Sequence, residues 1–238
     1  LTQLLGGALD VFSRVDCKLV GGHTMQGPEL AVGFAVNGTA MAEDGALLAK
    51  RGARERDLLV LTRPLGTGVL FAAHMQLGID GRHVHGALEQ MRAGNGAAAE
   101  LAVALGASAC TDITGFGLAG HLREMLGDDR AARVDLSALP LLPGAMPALV
   151  AGHRSTMHPA NEESADNTER LDGAVDDNLR AMLYDPQTCG GLLIAIAPGH
   201  AGALLEALAD ADMTEAAVIG EVIAREPGPG NTLVLSQR

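Results

Sequence analysis

The run Leu192-Leu193-Ile194-Ala195-Ile196-Ala197 has no polar residue on either of its alternating faces, and it follows directly on the paired glycines Gly190 and Gly191. An apolar run of that length behind a turn signal is a strand of the buried type. Such a strand needs other strands beside it and helices over it. The rest of the chain offers both. Apolar strands are expected over 58–62 and 107–111, and late strands over 217–223 and 232–235. Helix-period patterns cover about 69–77, about 86–105, 117–126 and 200–209, with Gly94 and Gly96 weakening the second near Asn95. Val134 and Leu136 lie in an extended segment before the proline-rich stretch 139–144. The polar stretch 152–173 reads as a long loop. Gly228-Pro229-Gly230-Asn231 reads as the turn of a hairpin joining the last two strands. Alternating elements closed by antiparallel strands make an α+β domain.

Upstream of that domain, Leu4, Leu5, Ala8, Leu9, Val11, Phe12 and Val15 form a helix pattern with no N-cap ahead of it, so the chain is expected to begin inside a helix of a longer protein. Short strands at 17–20 and 30–36 flank Gly21-Gly22-His23-Thr24. Helix, strand, glycine loop, strand is a piece of an α/β layer. The polar stretch 41–57 ends in a charged run over 50–57, the composition of a joint between domains. The expected division is therefore 1–57 and 58–238.

Composition removes several classes of function. Seventeen basic against 29 acidic residues give a net charge of −12, which argues against a surface that neutralises nucleic-acid phosphates. One Tyr, four Phe and no Trp leave little for base stacking. No segment reaches the roughly 18 apolar residues of a membrane span. Cys17, Cys110 and Cys189 are odd in number and irregular in spacing, which fits neither a disulfide framework nor a zinc site. A soluble protein of the reducing cytoplasm is expected.

Three stretches carry chemistry. In Thr111-Asp112-Ile113-Thr114-Gly115-Phe116-Gly117-Leu118-Ala119-Gly120-His121-Leu122, a carboxylate stands at a strand end beside glycines that let backbone approach a ligand. That combination suits a magnesium phosphate complex, although Thr111 or Asp112 acting only as a helix cap fits the spacing equally. Tyr184-Asp185-Pro186-Gln187-Thr188-Cys189-Gly190-Gly191-Leu192-Leu193-Ile194 is a polar turn feeding the buried strand, and taken alone it is a plain loop. Leu19-Val20-Gly21-Gly22-His23-Thr24 is like a glycine loop for anions, with His23 either a proton carrier or a histidine hydrogen-bonded within a turn. The pairs His83/His85 and His153/His158 lack carboxylate or thiolate company and read as surface residues.

In this order the three stretches resemble selenophosphate synthetase (selenide, water dikinase), of the superfamily that also holds aminoimidazole ribonucleotide synthetase, thiamine-phosphate kinase and a hydrogenase maturation factor. The resemblance covers nearly the whole chain. It implies an aminoimidazole ribonucleotide synthetase-like carboxy-terminal α+β domain, a mixed sheet with helices, preceded by a remnant of the α/β amino-terminal ATP-binding and dimerisation domain. It further implies a homodimeric parent converting ATP, selenide and water into selenophosphate, AMP and phosphate. Asp112 would be the one magnesium carboxylate present, and Gly21, Gly22, His23 and Thr24 would line the nucleotide cleft, with Asn95 a further polar contact. The family's nucleophilic cysteine or selenocysteine and its lysine would lie upstream, so no catalytic residue is assigned and the chain alone is expected to be inactive. Cys17 reads as a small buried side chain. Cys189 stands where the family usually has serine, and no basic residue lies near it in sequence to activate its thiol. The alternatives are another ATP-using enzyme of the superfamily and a noncatalytic dimerisation or binding module.

Overall fold

Among the described residues seven strands form one sheet: β1 (Leu58–Leu61), β2 (Ala109–Asp112), β3 (Arg130–Asp135), β4 (Glu169–Leu171), β5 (Leu192–Ile196), β6 (Ala217–Ala224) and β7 (Leu233–Ser236). Their order is β2-β5-β1-β6-β3-β7-β4. The structure is a computed structural model that describes residues 1–39, 47–165, 168–228 and 232–237. The chain divides into two compact units, Leu1–Gly45 and Ala46–Arg238, and the sheet belongs to the second.

The apolar run 192–196 takes the interior place its composition demands. All five residues of β5 are buried, and the strand runs antiparallel to β1 and β2, with Leu193 opposite both Leu61 and Thr111. Its faces enter two different cores. Leu193 and Ala195 pack with Leu59 and Leu61 under α2 (Thr67–Met75), α5 (Gly117–Leu126), α6 (Ala145–Val150) and α8 (Asp177–Met182). Leu192, Ile194 and Ile196 pack with Val60 under α4 (Gly96–Ala104) and α9 (Pro198–Asp210). Each fully buried Leu or Ile contributes about 1.5–3 kcal/mol, so a two-sided strand anchors the domain more firmly than a half-exposed one. The second unit is thus the α+β domain expected, a mixed sheet with helices.

Several local expectations are corrected. The last two strands are not a hairpin: β7 runs parallel between β3 and β4, and β6 pairs with β1 and β3. All four residues of β7 are buried, which requires a neighbour on each side. Of the proposed turn, residues 229–231 lie outside the described residues. The helix expected over 86–105 is two helices, α3 (Gly81–Arg92) and α4, separated where Ala93 turns extended. The break is held from outside, because the Arg63 guanidinium donates to the carbonyls of Ala93 and Gly94. The stretch 152–173 contains α7 (His158–Ser164) and β4. Asn161 of α7 donates to the carbonyls of Gly115 at 2.9 Å and Tyr184 at 3.0 Å, so its polar side chain is satisfied inside the fold.

The first unit holds α1 (Thr2–Arg14), none of whose residues is buried, and an edge-to-face contact of Phe12 with Phe34 at 5.4 Å. Residues 17–20 and 30–36 are not strands. An extended run becomes a strand only through a ladder with a neighbour, and none forms among the described residues of this unit.

Candidate functional site

Asp112 ends β2 and is exposed, and no hydrogen bond or ion pair holds its carboxylate among the described residues. The next helix, α5, starts after Phe116 with no side-chain cap. Neither Thr111 nor Asp112 is therefore its cap, and the capping alternative is removed. What the glycines of this stretch do is visible at Gly117, which has a φ of +68°, and a Cβ there would lie 2.7 Å from the Leu183 carbonyl oxygen. Only glycine combines that conformation with that approach.

Two residues past Asp112, the Thr114 hydroxyl lies 3.0 Å from His121 Nε2. His121 is buried on α5, and its Nδ1 stands 3.2 Å from Glu124 Oε2, which also receives Lys50 Nζ at 2.9 Å. Thr114, His121, Glu124 and Lys50 make one line of polar groups from the strand end to the far side of the helix. Burial pushes the imidazole below its ordinary pKa, with the charges of Glu124 and Asp112 acting in the opposite direction. The hydrogen bond from Lys50 pulls the Glu124 carboxyl below its usual range. Near neutral pH His121 is then an uncharged ring that fixes where the Thr114 hydroxyl points.

The Asp185–Leu193 stretch is more than a plain loop. Gln187 Oε1 accepts from the amides of Gly66 at 3.0 Å and Thr67 at 3.2 Å and from the Thr67 hydroxyl at 3.2 Å, while its Nε2 donates to Asp185 Oδ2 at 2.9 Å. The Gly68 and Val69 amides face the Asp185 carboxylate without a hydrogen bond forming to Oδ1. Burial pushes that carboxyl up to about 6 against the lowering pull of these donors. A helix N-terminus attracts anions because its first amides have no partner; here the protein's own turn takes that place at the start of α2.

The expected site residues fall into two groups. Asp112 and Asn95 both border the start of β5: Asp112 pairs with Leu192, and Asn95 Nδ2 donates to the Gly190 carbonyl at 2.9 Å. The Asn95 Oδ1 is buried without a hydrogen-bond partner. Gly21, Gly22, His23 and Thr24 are exposed, outside any helix or strand, in the first unit. Asp112 fits magnesium as a hard oxygen donor, but only as one ligand; no group of three or more His, Cys, Asp or Glu side chains among the described residues is placed to hold a metal. Cys189 is exposed at a left-handed φ of +51°, and Cys17 is half-buried rather than buried. Of the four histidines read as surface residues, His158 is buried with its ring edge-on to Tyr184 at 6.1 Å. His83 and His153 are half-buried, and His85 is exposed.

Thr114, His121 and Glu124 were open to sequence reasoning, since His121 and Glu124 are three apart on one helix and so share a face. Lys50 was not, being 74 residues from its partner.

A model of the family described as AIR synthase related protein, C-terminal domain, matches residues 54–228. The selenide, water dikinase of Trichlorobacter lovleyi is 40% identical over 233 residues, covering 96% of this chain and 65% of that protein. The selenide, water dikinase of Campylobacter jejuni is 33% identical over 242 residues, covering 99% of this chain and 66% of that protein. The chain thus spans just under two thirds of the length of these relatives. In fold it is similar to the hydrogenase maturation protein HypE (TM-score 0.58, 18% identity, 79% of this chain and 52% of that one). It is also similar to a thiamine-monophosphate kinase from Stenotrophomonas maltophilia (TM-score 0.51, 18% identity, 81% and 54%).

Proposed function

The chain belongs to the AIR synthase related family, and from that premise we propose that it is the carboxy-terminal part of a selenide, water dikinase, which makes selenophosphate, AMP and phosphate from ATP, selenide and water. In this reading residues 1–57 are the end of the amino-terminal ATP-binding and dimerisation domain, and 58–238 are the carboxy-terminal domain. The parent is a cytoplasmic homodimer. Three free cysteines agree with a reducing compartment, and no helix among the described residues is long and apolar enough to cross a membrane.

The observation that carries the proposal is the Asp112 carboxylate, exposed and unpartnered at the end of β2 in a stretch rich in glycine. Asp112 would hold Mg2+ together with donors from the rest of the parent and from ATP; bound there, the cation neutralises phosphate charge during transfer. Asn95 would be a further polar contact to the nucleotide, and Gly21, Gly22, His23 and Thr24 would line the nucleotide cleft. The Thr114 hydroxyl, oriented by His121, stands two residues from the carboxylate and adds a neutral polar group to the same edge. With no nucleophile assigned among these residues, the chain by itself is expected to make no selenophosphate.

The test is phosphorus NMR on the full-length parent with ATP and selenide. Asp112→Asn is expected to lower selenophosphate formation by orders of magnitude, about the scale on which phosphoryl transfer depends on its metal. Turnover of ATP in the parent that does not depend on selenide would instead favour another acceptor.

A further inference from the structure

Along α5, Arg51, Arg123 and Arg225 line one concavity of about 450 Å3, with Phe116 and Glu124 also in its wall. The chain carries a net charge of −12, and Arg82, Arg92, Arg133, Arg170 and Arg180 each have a carboxylate partner. Arg51, Arg123 and Arg225 are among the described arginines that have none, and they are the ones that share a cavity. Glu124 does not neutralise them, because its carboxylate is taken by Lys50 at 2.9 Å, which leaves Asp128 as the opposing charge in the wall. Two of the guanidinium groups are fixed rather than free to swing: Arg123 Nη1 donates to the Ser164 carbonyl at 2.6 Å and Arg225 Nη1 to the Asp128 carbonyl at 2.9 Å. Each anchor uses one nitrogen of a planar group that matches phosphate oxygens two at a time.

Phe116 adds a second kind of chemistry. It is one of five aromatic residues of the Phe, Tyr and Trp type in the chain, and it stays 57% exposed. The His121 ring lies beside it, 5.7 Å away and tilted by 47°. An exposed aromatic ring beside unpaired guanidinium groups, in a cavity within the usual size of a small-molecule site, is suited to a ligand that is flat at one end and anionic at the other.

We propose that this concavity binds a nucleoside phosphate, with the base against Phe116 and the phosphate on Arg51, Arg123 and Arg225. The cationic groups belong to the protein, so binding needs no metal. In needing no metal it differs from the magnesium nucleotide proposed at Asp112, and the proposal does not rest on the selenophosphate reaction.

The experiment is NMR of the arginine Nε–Hε groups of this chain, titrated in EDTA with AMP, with ribose 5-phosphate and with inorganic phosphate. AMP is expected to shift several of these signals with saturation, and to bind about tenfold or more tightly than either compound lacking the base. Arg51→Ala and Phe116→Ala, each checked for an unchanged melting transition, should weaken AMP about tenfold. If one of the two variants fails to fold, Arg225→Ala supplies the comparison. Absence of shifts at millimolar AMP overturns the proposal, and so does AMP binding that is unchanged in the folded variants. Equal binding of AMP and inorganic phosphate overturns the nucleoside assignment.

Discussion

The carboxamide oxygen of Gln187 accepts hydrogen bonds from both the amide and the hydroxyl of Thr67, each at 3.2 Å, across 120 residues of sequence. The Thr67 hydroxyl in turn accepts from the Thr188 amide at 2.9 Å, so the two segments are tied in both directions. Gln187→Leu keeps the approximate volume and removes the acceptor, leaving the Gly66 and Thr67 amides without a partner in the interior. Each such loss costs about 1–3 kcal/mol, and the variant is expected to lose about 2–4 kcal/mol in all. Urea unfolding should show a lower midpoint at unchanged slope; a midpoint equal to that of the unsubstituted chain would count against the tie.

Asp185 gives a pH dependence with a definite sign. Its folded carboxyl titrates at about 6, above its ordinary 3.8, because burial disfavours the charge. The stability it contributes is therefore present below about pH 4 and lost as pH rises through about 6, on the order of 3 kcal/mol for a shift of that size. Asp185→Asn cannot ionise and still offers an oxygen to Gln187 Nε2. Measured by urea unfolding at pH 4 and pH 7, the Asn variant should gain on the unsubstituted chain by about 2–3 kcal/mol across that interval. A constant difference between the two proteins would refute the raised pKa.

For Gly117→Ala the two penalties add, since the left-handed φ and the 2.7 Å approach to the Leu183 carbonyl act on the same new methyl group. Left-handed strain at a non-glycine residue costs about 1–3 kcal/mol, and backbone that must shift adds to it. A drop in melting temperature of about 10 °C or more is expected by calorimetry, and a drop of only a degree or two would mean that the helix start is free to move.

Asp112→Asn should be nearly silent in the folding of this chain. Its carboxylate is exposed and makes no hydrogen bond or ion pair among the described residues, so urea midpoints should agree to within about 0.5 kcal/mol. A loss of several kcal/mol would show Asp112 to be a structural residue and would remove the basis of its metal role.

Much of the larger unit was legible in the chain because its apolar runs are unambiguous. Positions 117–126 form the helix their periodicity predicts, and 192–196 form the interior strand. What failed has a common cause: the deciding partner was distant in sequence. The helix break at Ala93 depends on Arg63, the burial of the polar helix α7 depends on carbonyls at Gly115 and Tyr184, and the place of β7 depends on β3 and β4. In the site, Asp112 was visible as a carboxylate at a strand end. The clamp made by Gln187 was not, because nothing local marks Thr67 as its partner.

The position of β7 also bears on how the chain is made. The ribosome releases residues 233–236 after the other six strands of this sheet, yet these residues fill a slot between β3 and β4 rather than an outer edge. Until they emerge, β3 has one open side, β4 has no neighbour, and the backbone groups of both face water or whatever else is at hand. Translation that pauses or stops short of residue 233 therefore leaves a split sheet with two pairing surfaces exposed, the kind of nascent species that chaperones hold and proteases remove.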